Sequence, residues 1–255
     1  MRKIVTFLLV PLGMYAALCA LLFFIQRSQI YFPVPESSPA GAKSLRFAGG
    51  GADLKIWVVE RPGQKALLYF GGNAEDVAFN LNAFASAFPG HSLYLVNYRG
   101  YGGSGGSPSE TGLVSDAIAL YDHLRPRHRE ISVIGRSLGS GIAVQLASAR
   151  EVRRLALVTP FDSLVNVARA HFWYFPVGLL LRDRYDSAGR VPAVDAQTLI
   201  VIAGSDEIIP RASTEALVTA FPPAQVQVLV IEGARHNEID LDPRYHARLQ
   251  AFLGP

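Results

Sequence analysis

The sequence predicts an α/β domain with a mostly parallel sheet, and two observations lead to that fold class. Short apolar runs bounded by turn residues recur along the chain, and most are continuous, as in strands that are buried on both faces. Helical apolar patterns that open near a Ser, an Asp or another acidic residue lie between these runs. Strands and helices that alternate in this way are typical of a parallel sheet covered by helices on both faces.

Eight strands and five helices follow from this pattern. No helix separates the first two strands, so we expect them to form an antiparallel hairpin. Residues 160–195 break the alternation, and we expect them to form a small cap insertion over the site. The predicted strands cover 44–48, 54–60, 65–70, 92–97, 131–135, 154–158, 198–203 and 226–231, and the predicted helices cover 75–88, 111–124, 138–150, 211–221 and 242–253.

The N-terminal segment is predicted to be a single transmembrane helix. Residues 4–25 carry no charge, and as a helix they span about 33 Å, close to the hydrocarbon thickness of a bilayer. The rival interpretations are a cleaved signal peptide, whose apolar core is usually shorter, and a helix buried in the domain. The expected organisation is an anchor at 1–28, a linker at 29–43 and the α/β domain at 44–255.

The charges exclude some classes of function and favour one orientation. The net charge is +3, but Arg2, Lys3 and Arg27 account for it, since residues 31–255 hold 21 basic and 21 acidic groups. No basic face for nucleic acid is therefore expected. The basic N-terminus favours an inside N-terminus and an extracytoplasmic domain.

Cys19 is the single cysteine, which excludes a disulfide framework and Cys-rich metal modules. We predict no metal and no cofactor.

The pattern Gly-x-Ser-x-Gly occurs twice, and its surroundings distinguish the two copies. The copy at 102–106 lies in a flexible Gly-rich loop, so Ser104 is not expected to be a nucleophile. The copy at 135–139 directly follows a predicted strand and runs directly into a predicted helix. Strand, sharp turn and helix are the context that a nucleophile elbow requires, so Ser137 is the predicted nucleophile. The alternative is an ordinary Gly-rich turn.

A serine hydroxyl needs an imidazole as its base and a carboxylate that orients the imidazole. Of the six histidines, only His236 lies in a loop directly after a strand, at the sheet edge to which the elbow points. Asp206 and Asp162 both follow strands between Ser137 and His236. Asp206 is favoured because it lies one strand before the histidine. An exchange of roles with the adjacent Glu207 stays open.

Ester cleavage develops negative charge on the carbonyl oxygen, which two backbone N–H groups should meet. Leu138, the residue after the nucleophile, is expected to supply one of them. Asn73, in the Gly-rich loop after the third strand, is expected to supply the other. The same loop also fits a turn that caps the helix at 75–88.

Residues 100–105 match the dinucleotide fingerprint G-x-G-x-x-G and follow a strand. That fingerprint requires the helix to begin within it, so that the helix N-terminus meets the pyrophosphate. Here Ser107-Pro108-Ser109-Glu110 separates the glycines from the helix, and nucleotide binding is not favoured.

Over residues 44–253 the sequence resembles the α/β-hydrolase superfamily, and especially its small membrane-anchored serine hydrolases. The resemblance implies ester, thioester or related acyl hydrolysis, with Ser137, Asp206 and His236 as the catalytic triad. Gly71 departs from the family, which usually has His there to steady the oxyanion loop. The matching segments are Tyr69 to Ala74, Asn97 to Gly106, Gly135 to Gly139, Gly204 to Pro210, and Gly233 to Asn237.

The predicted function is that of a membrane-anchored serine hydrolase that cleaves an ester or thioester through an acyl-enzyme on Ser137. The expected partners are a small-molecule or lipid-like acyl substrate and a membrane, which the N-terminal helix would enter. The alternatives are a serine peptidase or amidase that uses the same triad, and a catalytically silent binding module. The apolar residues 172–181 either close the core of the cap or face the substrate or a membrane.

Overall fold

The structure, a computed structural model, describes the backbone of residues 2–254 and the side chains of residues 9–254. Met1 and Pro255, the outer limits of the expected anchor and domain, lie outside the described residues. Eight strands pair into one sheet. They are β1 (Lys43–Gly49), β2 (Ala52–Val59), β3 (Lys65–Phe70), β4 (Ser92–Val96), β5 (Glu130–Arg136), β6 (Arg154–Val158), β7 (Gln197–Ala203) and β8 (Val226–Ile231).

The strand order is β1-β2-β4-β3-β5-β6-β7-β8. The pairs β1–β2 and β2–β4 are antiparallel, and every later pair is parallel. The predicted hairpin and the mostly parallel sheet are both confirmed. In a parallel sheet the loops after β3, β5, β7 and β8 open at one edge, which is the edge where the candidate site lies.

Nine α-helices accompany the sheet within residues 2–254. Four of the five predicted helices are found within about one residue of their expected ends. The prediction for 75–88 was only partly right: a 3₁₀ turn at Val77–Asn80 comes first, capped by the Asp76 carboxylate, which accepts a hydrogen bond from the Ala78 N–H at 3.0 Å. The helices are α1 (Arg2–Ile30), α2 (Leu81–Ala87), α3 (Glu110–Leu124), α4 (Leu138–Ala149), α5 (Leu164–His171), α6 (Val177–Leu180), α7 (Ser187–Arg190), α8 (Arg211–Ala220) and α9 (Pro243–Leu253).

The sheet has a hydrophobic core on each face. Alternate residues of β3 show the division: Leu68 and Phe70 belong to the core that includes α3 and α4, whereas Leu67 and Tyr69 belong to the core that includes α2 and α9. All four side chains are almost fully buried. Burial on both faces explains why these strands are continuous apolar runs in the sequence.

Helix α1 differs from the others because the domain covers little of it. The segment Leu9–Ile30 has a mean hydropathy of 2.0, and only 6% of its apolar window is buried. Leu12, Met14 and Phe24 are each more than half exposed. A helix that is hydrophobic all round buries its surface in a protein core or in a membrane. This helix is long and apolar enough to cross a bilayer.

The last turns of α1 pack on the insertion between β6 and β7. The Arg27 guanidinium lies 2.9 Å from the buried Asp183 carboxylate, and the Tyr31 hydroxyl donates to the same carboxylate at 3.1 Å. The Gln26 amide donates to the Leu180 carbonyl at 3.0 Å. These polar contacts hold the domain end of α1 against the insertion.

Candidate active site

Ser137 lies between the last residue of β5 and the first residue of α4, at the elbow that the sequence predicts. Its φ of 50° and ψ of −116° are unusual for a residue with a side chain. The Ser137 N–H donates to the Val158 carbonyl at 2.9 Å, which ties the elbow to the neighbouring strand. Such strain is maintained where the surrounding structure requires it, and it is what exposes the nucleophile of an elbow.

Both glycines of this elbow are required by close packing. A Cβ on Gly139 would lie 2.1 Å from the Phe70 carbonyl oxygen, and a Cβ on Gly135 would lie 2.5 Å from the Gly139 carbonyl oxygen. Neither distance is possible between non-bonded atoms. The first turn of α4 therefore approaches the ends of β3 and β5 closely only because these positions lack side chains.

His236 connects Ser137 to a carboxylate. Its Nε2 lies 2.9 Å from the Ser137 Oγ, and its Nδ1 lies 2.8 Å and 3.0 Å from the two carboxylate oxygens of Asp206. The Asp206 Oδ1 also accepts hydrogen bonds from the backbone N–H groups of Ile208 and Ile209. A carboxylate at Nδ1 favours the tautomer in which Nδ1 carries the proton and Nε2 accepts one from the serine.

Glu207, the alternative next to Asp206, makes a different contact. Its Oε2 accepts a hydrogen bond from the backbone N–H of His236 at 3.2 Å, and its carboxylate lies 3.3 Å from the Arg235 guanidinium. The backbone hydrogen bond from His236 and, to a smaller extent, the charge of Arg235 lower the pKa of Glu207. Glu207 thus holds the loop of the histidine, while Asp206 meets the imidazole.

Asp162, the other candidate acid, braces the insertion. Its carboxylate accepts hydrogen bonds from the Ser213 hydroxyl and the Asn166 amide, which links α5 to α8. The backbone N–H of Asp162 donates to the Ser213 Oγ at 3.2 Å. The described structure pairs the imidazole of His236 with Asp206 and gives Asp162 a structural set of partners.

The other histidines make contacts outside this arrangement. His128 bonds the Tyr94 hydroxyl through Nε2 at 2.9 Å, and the Nε2 of His171 lies 3.0 Å from the Ile208 carbonyl oxygen. Burial lowers the pKa values of His91, His128 and His246. The structure brings only His236 to the Ser137 hydroxyl.

Ser104 of the second Gly-x-Ser-x-Gly pattern has a structural role. Its Oγ accepts a hydrogen bond from the backbone N–H of Lys55 at 2.8 Å and donates to the Asn97 carbonyl at 2.9 Å. These bonds join the Gly-rich loop to β2 and to the end of β4. Both bonding functions of the hydroxyl are used by the backbone.

The two residues predicted to supply oxyanion donors lie close to Ser137. Leu138 is the first residue of α4, where a backbone N–H has no carbonyl one turn earlier to bind. The loop after β3 lies against Ser137, since a Cβ on Gly72 would be 3.7 Å from the Ser137 Cβ. Asn73 is the next residue of that loop.

The Asn73 side chain ties this loop to the exit of α1. Its amide nitrogen donates to the Ile30 carbonyl at 2.6 Å, and its Oδ1 accepts from the backbone N–H of Phe32 at 3.0 Å. The Tyr101 hydroxyl donates to the same Oδ1 at 2.8 Å. The loop that carries the candidate oxyanion donor is therefore bonded to the last residue of the apolar helix. Sequence reasoning assigned only the backbone of Asn73 and missed this connection.

Two residues that sequence reasoning missed support the same loop. Glu75 accepts a hydrogen bond from the Gly72 N–H at 2.6 Å, and the Tyr98 hydroxyl donates to the Gly71 carbonyl at 2.6 Å. Burial raises the pKa of Tyr98 well above its usual value, so the hydroxyl remains a donor. These bonds hold the loop at the position where the family usually has a His and this chain has Gly71.

Arg136, the variable residue before Ser137, is also buried and charged. Its guanidinium lies 3.8 Å from both Glu75 and Asp240. Burial opposes its charge, yet the surrounding acidic groups, Glu75 first, raise its pKa. The sequence did contain a signal for these contacts, because Arg136 is a charged residue between an apolar strand and an apolar helix. A buried charge needs a partner of opposite sign.

A cavity of about 620 Å³ opens at Ser137 and His236. The sequence predicts that the insertion at 160–195 covers the site, but the residues that line the cavity beside the elbow include the linker at 34–37 and Phe79, which is 86% exposed. None of the described insertion residues lines this cavity. The hydrogen bonds of Asn73 to Ile30 and Phe32 hold the start of this linker beside the loop after β3. No group of His, Cys, Asp and Glu that could hold a metal occurs within the described residues.

Sequence relatives agree with this architecture. The chain is 36% identical over 231 residues to an uncharacterised protein of Mycobacterium tuberculosis, covering 85% of this chain and 82% of the relative. It is 31% identical to the alpha/beta hydrolase domain-containing protein 17C of Xenopus laevis and 30% identical to the alpha/beta hydrolase domain-containing protein aho-3 of Caenorhabditis elegans. The chain belongs to the α/β-hydrolase superfamily. Its match spans 62% and 57% of those two longer relatives, respectively.

Solved structures share the fold. An esterase of Pyrococcus furiosus superposes with a TM-score of 0.70 at 17% identity, over 87% of this chain and 98% of the esterase. A hydrolase of Pseudomonas aeruginosa superposes with a TM-score of 0.66 at 16% identity, over 86% of this chain and all of the hydrolase. No protein-family profile matches the chain. Membership of the α/β-hydrolase superfamily supports a general hydrolase activity.

Proposed function

We propose that this α/β hydrolase is a membrane-anchored serine hydrolase that cleaves an ester or thioester through an acyl-enzyme on Ser137. The observation that carries the proposal is the unbroken chain of hydrogen bonds from the Ser137 hydroxyl through His236 to Asp206, at a strained elbow that lines a cavity. An imidazole placed between a serine and a carboxylate is the arrangement that activates a serine for nucleophilic attack.

The proposed reaction has two halves. As the Ser137 Oγ attacks the acyl carbonyl, His236 Nε2 takes the hydroxyl proton and Asp206 stabilises the imidazolium. The backbone N–H groups of Asn73 and Leu138 bind the oxyanion. His236 then gives the proton to the departing alcohol or thiol, and water attacks the acyl-enzyme by the reverse sequence.

The proposed membrane anchor is α1. Its apolar surface is largely exposed, and its exit holds the oxyanion loop through Asn73. Arg2 and Lys3 precede the apolar span, which favours an inside N-terminus and an extracytoplasmic domain. The protein should stay in the membrane fraction after alkaline carbonate washing, and external protease should reach the domain. Release by carbonate contradicts the anchor, and a protected domain contradicts only the orientation.

A fluorophosphonate probe tests the enzyme proposal, because it needs an activated serine and no knowledge of the substrate. The full chain in membranes should be labelled, Ser137→Ala should not be, and Ser104→Ala should be labelled as strongly as the wild type. A folded wild-type protein that resists labelling would support the catalytically silent binding module.

The class of bond is tested with three substrates that share one acyl group: an aryl ester, an alkyl thioester and an anilide. We expect the ester and the thioester to be hydrolysed faster than the anilide, because nothing described at this site recognises a peptide terminus. A preference for the anilide would indicate a peptidase or amidase that uses the same triad.

A further inference from the structure

The insertion between β6 and β7 carries an exposed apolar surface that the proposed reaction does not use. Phe172, Trp173, Tyr174 and Leu179 are 50%, 80%, 51% and 86% exposed, and we call these four residues the insertion patch. Phe175 and Val177, which lie between them in the chain, line two depressions. Phe172 and Tyr174 line one of these depressions, and Trp173 and Leu179 line the other. Contiguous exposed apolar side chains mark a surface that binds protein or lipid.

The insertion patch continues the apolar surface of α1. The Tyr15 hydroxyl donates to the Tyr174 carbonyl at 2.8 Å, and the Tyr15 ring is stacked on Phe175 with 6.0 Å between the ring centroids. An apolar cavity of about 290 Å³ between the two elements is lined by residues of both, including Leu22 and Phe172. The insertion therefore lies along the side of the helix that is proposed to span the membrane.

The contacts also give the depth to which the insertion reaches. At its base Asp183 is paired with Arg27, and near its tip Tyr174 is bonded to Tyr15. Tyr15 lies twelve positions before Arg27, a rise of about 18 Å of helix, which is similar to the roughly 15 Å of hydrocarbon that one leaflet contributes. If Arg27 lies at the lipid headgroups, the insertion patch lies among the acyl chains of the adjoining leaflet.

Exposed arginines flank the insertion patch. Arg169, Arg182 and Arg184 are exposed, and the Arg184 guanidinium donates to the Gly178 carbonyl at 2.9 Å, next to Leu179. Asp183 is buried in its pair with Arg27. Arginine side chains beside an apolar surface bind lipid phosphates and anionic headgroups while their stems remain in the apolar layer. An apolar tip with a basic rim complements a lipid leaflet.

We propose that residues 172–181 insert into the lipid leaflet next to the domain, beside α1, so that the domain is held at two points. The inference rests on the proposed membrane anchoring. A second membrane contact restricts rotation of the domain about α1, whose exit is bonded to the oxyanion loop by Asn73. The cavity at Ser137 would then keep a constant height and direction relative to the membrane surface.

The two tryptophans allow a direct test in the full chain. Trp57 is 3% exposed in the core of the domain, and Trp173 is 80% exposed in the insertion patch. Vesicles with lipids brominated along their acyl chains quench only indoles that enter the hydrocarbon. In such vesicles Trp57→Phe, which retains Trp173, should lose most of its emission. Trp173→Phe, which retains Trp57, should keep its emission.

The controls separate this inference from the anchor. Flotation with the vesicles shows whether the chain is anchored, whatever the position of the insertion. A chain that floats while Trp173 stays unquenched, with the red-shifted emission of an indole in water, overturns the insertion of the patch and leaves the anchor intact; the patch would then bind protein. A chain that does not float overturns both. If Trp57→Phe fails to fold, the emission difference between wild type and Trp173→Phe reports the same indole.

Discussion

Two segments of this hydrolase share the pattern Gly-x-Ser-x-Gly, and the structure gives their serines different surroundings. Ser137 stands on a left-handed backbone at the start of α4, with its hydroxyl 2.9 Å from His236. Ser104 lies in a loop, and its hydroxyl bonds the backbone at Lys55 and Asn97. The last glycine of each pattern differs as well: a Cβ on Gly139 would lie 2.1 Å from the Phe70 carbonyl oxygen, whereas a Cβ on Gly106 would lie 3.4 Å from its nearest neighbour, the Ala52 Cβ.

The difference shows what a short pattern leaves out. The five residues of the pattern set the flexibility of a turn. The secondary-structure elements on either side decide whether the serine hydroxyl faces the site or is hydrogen-bonded to the backbone. A strand before the turn and a helix after it place Ser137 at the carboxyl edge of the sheet. Asp206 and His236 lie at the same edge, in the loops that follow β7 and β8. The loop around Ser104 instead closes on itself, with the Gly100 N–H bonded to the Gly105 carbonyl.

The largest expected effect concerns the two serines. Ser137→Ala should lower kcat/KM on a short-chain aryl ester by roughly 10⁶-fold, as removal of the nucleophile does in other triads. Ser104→Ala should stay close to wild type, because its hydroxyl binds only backbone. Steady-state rates in detergent micelles measure both. A large loss in folded Ser104→Ala, with activity retained in Ser137→Ala, would reverse the assignment.

The same contrast applies to the two aspartates that follow strands. Asp206→Asn should lower kcat by about 10⁴-fold, since an amide at Nδ1 supports the wrong tautomer of His236 and stabilises no imidazolium. Asp162→Asn should remain within about tenfold of wild type, through looser positioning only. Circular dichroism must show that both variants are folded before their rates are compared. If Asp162→Asn is the more damaging, the acid follows β6.

The glycines extend the comparison to stability. Gly139→Ala should lower the free energy of unfolding by about 3 kcal/mol, because its Cβ would overlap the Phe70 carbonyl, and overpacking of this kind costs about 1–3 kcal/mol or more. Gly105, at a variable position of the other pattern, gives the control: its Cβ would lie 3.7 Å from the Asp53 carbonyl oxygen, and Gly105→Ala should be close to neutral. Thermal unfolding measures the pair. Equal stabilities would mean that α4 can move away from β3.

Much of the fold and of the proposed triad could be predicted because the relevant signals are local. Burial on both faces makes each strand a continuous apolar run, and the order of strands then places Ser137, Asp206 and His236 at one edge. The antiparallel hairpin of β1 and β2 followed equally from the lack of an intervening helix.

The support of the site could not be predicted, because it depends on pairs that are distant in sequence. Asn73 binds the backbone at Ile30 and Phe32, and any residue type offers those backbone atoms. The side chains of Arg136 and Asp240 lie 3.8 Å apart across the fold, and the pattern around Ser137 does not specify which acidic residue Arg136 meets. Which segment faces the cavity was likewise decided by packing, and the linker at 34–37 took the position expected of the insertion.

The smallest expected effect is on stability, where the order of the two serines is the reverse of their order in activity. Ser104→Ala should lower the free energy of unfolding by about 1–2 kcal/mol, because the Lys55 N–H and the Asn97 carbonyl each lose a partner in a half-buried loop. Ser137→Ala should be nearly neutral for stability, since its hydroxyl bonds only His236 among the described residues. Exposed Ser107 lies in the same loop as Ser104, so Ser107→Ala is the control for a loop substitution. Denaturant unfolding of the three variants gives the differences. A greater loss of stability in Ser137→Ala than in Ser104→Ala would mean that the elbow serine is held for the fold as well as for the proposed chemistry.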